Sequence, residues 1–470
     1  MSRTHRFDLL PSLPGLGNDA ADVFLAGGSD YCWGTRRGSR PVTPGLHNPS
    51  CGVGWGTQVR NPFGYDIVNL MGSFSSPRAD RSPPWATATR HLPAPLAVVE
   101  MDAFEANVVD VRRRGAGTPI RIATKSLRVP RLLGRLVQLE GIIGLMAYSL
   151  AEALWLVENN ISTNILIAYP TVSMTQLQRL GDDARARQAI TLMVDNPTHL
   201  EMLTQIPRRG ETPFSVCIDV DASLRVGPVH IGVRRSPIKT PTQAAHLAQK
   251  ATQMGITVWG VMMYEAQVAG VNETGFQAPI VRRMKRLSLR TLATKRAQVL
   301  EAVESVVGHK IHLNGGGSGS VNDTASDPMV TEVAAGSGLF VPTLFDHYRS
   351  FHPRPAAFFG LDVVRHPGRG LATLFGGGYV ASGPPGVDRL PQPRKGRYLS
   401  TEAAGEVQTP LRFRSDQRPE IGQRVWFRHA KAGELMEHFT HVHLVRASTP
   451  DARQPIETLP TYRGEGLAFG

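Results

Sequence analysis

Cysteine is nearly absent: three in 470 residues, Cys32, Cys51 and Cys217, set too far apart for a CxxC or any metal-ligand spacing. That excludes a disulfide framework and leads us to expect a reducing, cytoplasmic compartment. Long apolar runs are missing as well. The greasiest stretch, 142–157, is broken by Glu152, so no window reaches the roughly 18 residues of a membrane span. The opening MSRTHRFDLLPSLPG has no apolar block of the kind a secretion signal carries. Lysine is scarce too, at eight of the 52 basic residues, so the formal charge of +13 is mostly an arginine habit spread along the chain. No aromatic interleaving and no helix-turn-helix pattern accompanies that charge. The densest basic run, 282–286, precedes Leu289, Leu292, Val299, Leu300 and Val303 at helical spacing, which predicts a solvated helix face. Neither a nucleic acid nor a membrane is an expected partner.

What is present fits a globular protein: 41% hydrophobic and 19% charged residues over a length that calls for roughly two to three domains. Residues 1–90 show no sustained period and are expected to form a poorly ordered extension. From about residue 92 a plausible strand (96–99) and helix (102–113) open an ordered region. Apolar β-type runs then recur at 119–126, 142–149, 164–170, 189–196, 214–221, 256–264, 310–317 and 332–340, most of them separated by helical patterns. Continuous apolar strands joined by helical crossovers are what buried parallel strands require. The expectation is therefore an α/β fold, a (β/α)8 barrel over 91–345, rather than an open doubly wound sheet, because no GxGxxG follows the first strand. Residues 346–470, punctuated by Pro and Gly, are expected to form a C-terminal β domain.

Barrel active sites gather where strands end and the following loops begin. Lys125 falls there, closing Arg121-Ile-Ala-Thr-Lys-Ser. Taken alone, such a lysine reads first as one snorkelling from a strand end to water. Desolvated in a barrel mouth, its amine becomes a nucleophile able to form an imine. The seventh strand runs into Asn314, Gly315, Gly316, Gly317, Ser318 and Gly319, whose backbone N–H groups can close around an anion; a flexible linker is the competing reading. An imine-forming lysine facing a phosphate cradle suggests pyridoxal 5′-phosphate. Tyr148, Tyr169, Asp195, Asp219, Asp221, Tyr264 and Glu265 end strands on the same rim. Arg225 is a candidate partner for a carboxylate or the cofactor ring, and equally for a helix cap or surface pair.

These motifs, with Thr331-Glu-Val-Ala-Ala-Gly336 and Phe427-Arg-His-Ala-Lys-Ala-Gly-Glu434, resemble the fold-type III pyridoxal-phosphate enzymes of the alanine racemase superfamily. Within it the chain is most similar to the D-threonine aldolase and D-serine dehydratase branch. The resemblance, over about four fifths of the chain, implies that Lys125 carries the cofactor and that residues 314–319 form its phosphate loop; Arg225 and Tyr264 are kept as candidate cofactor contacts. It also implies a small amino-acid substrate, a preference for the D-enantiomer, and a homodimer whose C-terminal domains close each other's sites. Some lyases of the branch hold a divalent metal (Mn, Mg or Zn) through His-x-Asp or His-x-Cys. Here the stretch is His429-Ala430-Lys431, so His429 is kept as a catalytic and metal-ligand candidate while lysine takes the second ligand's place. The alternatives are a racemase using Tyr379 or Tyr398 as second base, and a non-catalytic cofactor-binding protein.

Overall fold

The computed structural model describes residues 83–227, 229–270, 278–348, 351–449, 453 and 455–469. The expected N-terminal extension lies outside them up to residue 82. Residues 84–89 are packed: Trp85 meets Phe358 and Trp426 with ring centroids 5.3 and 4.8 Å away.

Eight strands close a barrel, β2 (Ile120–Ala123), β3 (Ile142–Ala147), β4 (Ile165–Ile167), β5 (Ile190–Val194), β6 (Ser215–Asp219), β9 (Thr257–Met263), β10 (His312–Gly315) and β11 (Glu332–Ala335). Every pairing is parallel. The strands are apolar on both faces because each face is covered: Leu145, Ala147, Val216 and Ile218 pack outward in the main core, and Met146, Met193, Cys217 and Met262 cluster inside. Local chemistry starts the outer helices. Ser149 caps α3 (Leu150–Glu158), Asn196 with Pro197 opens α6 (Pro197–Thr204), and a Thr240–Gln243 capping box opens α7 (Pro241–Gln253). The hairpin of β7 (Leu224–Val226) and β8 (Val229–Ile231) rises from the loop after β6. The polar gap before β11 holds one short helix, Val321–Ala325.

The first strand, β1 (Leu96–Glu100), does not enter the barrel. It lies between β12 (Ala357–Arg365), antiparallel, and β18 (His441–Val445), parallel, in a nine-stranded sheet. In the same sheet β17 (Arg424–Arg428) pairs with β12. The strand-rich C-terminal region therefore takes an interior strand of its sheet from residues that precede the barrel.

Arg282, Arg283 and Arg286 of the long helix α9 (Ala278–Val307) are exposed, as the charge pattern predicts. Lys285 and Arg296 of the same helix are buried, which the pattern did not predict. No helix among the described residues is long and apolar enough to cross a membrane.

Candidate active site at the barrel mouth

Directly after β2 the chain makes a single 3-10 turn, Thr124–Ser126, pinned by Thr124 Oγ1 donating to the Met146 carbonyl (3.1 Å). The turn lifts Lys125 out of the barrel. Its side chain is exposed and has no ion-pair or hydrogen-bond partner among the described residues, and its Nζ stands 5.9 Å from the Tyr169 ring centroid. On the same ring lies Arg235, 4.7 Å from the Tyr169 centroid and 5.8 Å from that of Tyr264. Tyr264 in turn reaches the glycine loop, where a Cβ on Gly317 would sit 3.5 Å from its Cε2. Lys125, Tyr169, Arg235, Tyr264 and Gly317 thus form a continuous rim of neighbours.

Arg235 is held by Asp219 (Nε to Oδ2, 2.6 Å) and donates to the Ala168 carbonyl. Burial pushes the Asp219 carboxyl up to about 6 against the pull of Arg235. Burial also drives the Tyr264 phenol up to about 12, with the Glu265 charge adding to it.

The loop after β10 is built for close backbone approach. Gly316 has φ +82°, and a Cβ there would come within 2.7 Å of Val333 Cγ1. Its N–H donates to Glu265 Oε2 (3.1 Å), and Gly317 N–H to Ser320 Oγ (3.2 Å). Ser318 Oγ accepts the N–H groups of Gly336 (3.1 Å) and Gly338 (2.9 Å), tying this loop to the one after β11. The backbone N–H groups of Ser318 and Gly319, both buried residues, donate to no acceptor among the described residues. Two unspent donors in a glycine loop suit an anion such as phosphate.

Behind the loop sits a charge cluster that spacing alone did not suggest. Arg296 bridges Glu265 (2.9 Å) and Asp327 (3.1 Å), all three buried. Glu265 also accepts from Ser320 and Thr324.

Two expected cofactor contacts lie elsewhere. Asn314 turns into the barrel, where its amide donates to Glu332 Oε1 (2.8 Å) beside the Arg121–Glu332 pair, because strand alternation directs it inward one residue before the loop begins. Arg225 stands on the β7–β8 hairpin, half exposed and 3.9 Å from Asp221. The arginine inside the mouth is Arg235, which lies in an irregular loop with no periodic signal.

The C-terminal region reaches the same rim. The His429 and Ala430 carbonyls accept N–H groups from Thr343 and Leu344, and Gly433, at φ +102°, lies so close to the Lys125 carbonyl that a Cβ would overlap it. His429 is buried, and neither ring nitrogen has a hydrogen-bond partner among the described residues; burial and the Arg428 charge push it down to about 3 against the opposing pull of the Ala357 backbone, so it is neutral. Lys431 donates to the Ser382 carbonyl and hydroxyl (3.4 and 3.2 Å). No group of three His, Cys, Asp or Glu able to hold a metal occurs among the described residues. The donor set around His429 therefore does not fit a divalent metal. Tyr379 stacks on His438, and the Tyr398 hydroxyl donates to the Pro391 carbonyl (2.7 Å).

A buried network braces the lysine turn from below. The Tyr462 hydroxyl donates to Glu152 Oε1 (2.7 Å), the Tyr148 N–H to Oε2 (2.8 Å), and Arg128 Nε to the Lys125 carbonyl (3.3 Å). Burial lifts the Glu152 carboxyl from 4.5 up to about 7, against the hydrogen bonds of Thr124, Tyr148 and Tyr462 and the Arg128 charge. A carboxyl raised in the folded state binds its proton more tightly there. Its contribution is fully present below pH 4.5 and is lost as pH rises through about 7. Glu152→Gln is expected to remove a decline in stability of about 3 kcal/mol between pH 5 and pH 8. Urea midpoints of both proteins at the two pH values check this; parallel declines would refute it.

The family model described as alanine racemase, N-terminal domain, matches residues 99–341. A D-threonine aldolase of Arthrobacter sp is 26% identical over 250 residues, 53% of this chain, and the match spans 61% of that relative's length. Among solved structures, D-threonine aldolase from Filomicrobium marinum superposes with a TM-score of 0.67 at 19% identity, covering 80% of this chain and 96% of its own. D-threo-3-hydroxyaspartate dehydratase from Delftia sp. HT23 gives 0.60 at 19% identity, over 80% and 98%.

Proposed function

The chain belongs to the alanine racemase N-terminal domain family, and from that premise we propose that it is a pyridoxal-phosphate-dependent lyase of D-amino acids bearing a 3-hydroxyl group. The observation that carries this reading is the unpaired Lys125 amine on one rim with the unspent N–H groups of Ser318 and Gly319, joined through Tyr169, Arg235 and Tyr264. The names of the relatives, D-threonine aldolase and D-threo-3-hydroxyaspartate dehydratase, support the reaction class.

In this reading Lys125 anchors the aldehyde carbon, and Ser318 and Gly319 hold the phosphate. When bound, the cofactor supplies an electron sink for charge that develops at the substrate's Cα. Arg235 presents a fixed cation between the two tyrosine rings, oriented by Asp219. We assign the substrate's 3-hydroxyl to His429. A neutral imidazole accepts the hydroxyl proton, as breaking the Cα–Cβ bond by retro-aldol cleavage requires. The name of the Arthrobacter sp relative, D-threonine aldolase, favours retro-aldol cleavage of D-threonine-type substrates over dehydration and deamination of D-serine. A homodimer of this chain, acting in the cytoplasm, belongs to the same proposal.

The test is a product panel with cofactor-loaded protein. D-threonine is expected to give glycine and acetaldehyde in equal amounts, faster than D-serine gives pyruvate and ammonia. Appearance of the L-enantiomer alone would make the protein a racemase. A bound cofactor with no product would make it a binding protein.

A further inference from the structure

Two carbonyls of the glycine loop are bonded on the side opposite its unspent donors. The Gly317 carbonyl accepts the Ser320 N–H (2.8 Å), and the Ser318 carbonyl accepts Nη1 of Arg114 (2.9 Å). Both peptide units are trans, so the N–H of each points away from the carbonyl of the same unit. Those N–H groups are the ones of Ser318 and Gly319. Arg114 therefore aims the Gly319 N–H by holding the other end of its peptide. The bond is charge-assisted, and a cation on the carbonyl oxygen polarises the unit and strengthens its N–H as a donor to an anion.

Arg114 is the last residue of α1 (Met101–Arg114). Its Nε donates to Asp110 Oδ2 (2.7 Å), one turn back, and the Phe351 ring covers its guanidinium with the centroid 4.2 Å away. The side chain is 2% exposed. Pairing with Asp110 does not require that enclosure, because Arg113 reaches Asp110 Oδ1 at the same 2.7 Å with 70% of its side chain exposed. Burying a guanidinium costs free energy that a surface pair does not incur. What the buried position adds is the Ser318 carbonyl.

We propose that Arg114 is a positioning residue for the cofactor's phosphate, acting through the Ser318–Gly319 peptide from the side away from the anion. The proposal rests on the reading of the glycine loop as the phosphate site.

The test titrates pyridoxal 5′-phosphate, and pyridoxal, which lacks the phosphate, into the full-length protein and follows visible absorbance. Arg114→Met leaves Asp110 paired with Arg113, so no carboxylate is stranded. It is expected to weaken binding of the phosphate ester by at least about tenfold and that of pyridoxal by no more than about twofold. A loss of packing alone would weaken both together. In Arg114→Lys, whose single ammonium cannot serve Asp110 and Ser318 at once, the preference for the ester should fall part of the way. In Arg113→Met, which removes the same charge one residue earlier, it should persist. An unchanged preference in Arg114→Met, or an equal fall in Arg113→Met, overturns the proposal and leaves the cofactor reading intact. If Arg114→Met does not fold, an unchanged preference in Arg114→Lys is the overturning result. Calorimetric titration with inorganic phosphate gives a readout that needs no cofactor. Phosphate binding that weakens in the Arg114 variants of a protein that takes up no pyridoxal 5′-phosphate would support the role of Arg114 and refute the cofactor reading. A protein that binds neither refutes both.

Discussion

Lys125→Ala abolishes the visible absorbance of the cofactor-loaded protein and lowers turnover of D-threonine by at least about 10³-fold. The expectation follows from how little else the side chain does. It is exposed and has no ion-pair or hydrogen-bond partner among the described residues, and its Nζ stands 5.9 Å from the Tyr169 ring centroid. What secures the turn is backbone: the Lys125 carbonyl takes the Arg128 guanidinium and packs against Gly433, and both contacts survive truncation to alanine. Unfolding free energy should therefore stay within about 0.5 kcal/mol of the unsubstituted protein. An absorbance spectrum and a urea melt on the same sample decide the matter. A variant that keeps the band would place the anchoring amine elsewhere. Arginine at this position is no rescue, since a guanidinium does not deprotonate.

The same lysine shows which parts of the site were legible in the sequence. It stands in the turn directly after the first barrel strand, and a barrel strand is announced by an apolar run that must be covered on both faces, a property local to the chain. Eight such runs reveal the barrel, and their ends reveal the rim. Leu96–Glu100 satisfies the same local criterion, all five of its residues being buried, yet its partners are β12 and β18, more than 250 residues away. Nothing in an apolar run of five states which sheet it joins. Parity explains the misplacement of Asn314, because one residue of shift at the end of β10 exchanges the barrel interior for the loop. Arg225 falls in the three-residue strand β7 and Arg235 in the irregular loop that follows the hairpin, and neither is long enough to carry a period to read. His429 was legible as a candidate, whereas its full enclosure depends on the sheet closing around β17.

Arg296 is the largest omission, and Arg296→Met is expected to lower unfolding free energy by about 3–5 kcal/mol. Among the arginines of α9 it had the pattern of a solvated charge, because helical spacing assigns a face but cannot show that an acid waits on the buried side. In the folded protein its guanidinium joins Glu265, Asp327 and the Met263 carbonyl (3.3 Å), with 1% of the residue exposed. Methionine fills much of the volume and leaves two carboxylates in a site without a counter-charge, so at least one must take up a proton to stay buried. The folded state of the variant then binds protons that its unfolded state releases. Its deficit should accordingly grow as pH rises from 5 to 8 and shrink on acidification. Glu265 also fixes the Gly316 N–H, so the loop that presents Ser318 and Gly319 loses its support, and affinity for the cofactor should fall with stability. Adding Glu265→Gln to Arg296→Met removes one stranded charge while keeping an oxygen that can accept the Gly316 N–H. The double variant should therefore be more stable than Arg296→Met alone and recover part of the cofactor affinity. Additive losses would show that the arginine acts through packing, with the charge on Glu265 incidental to the anion loop.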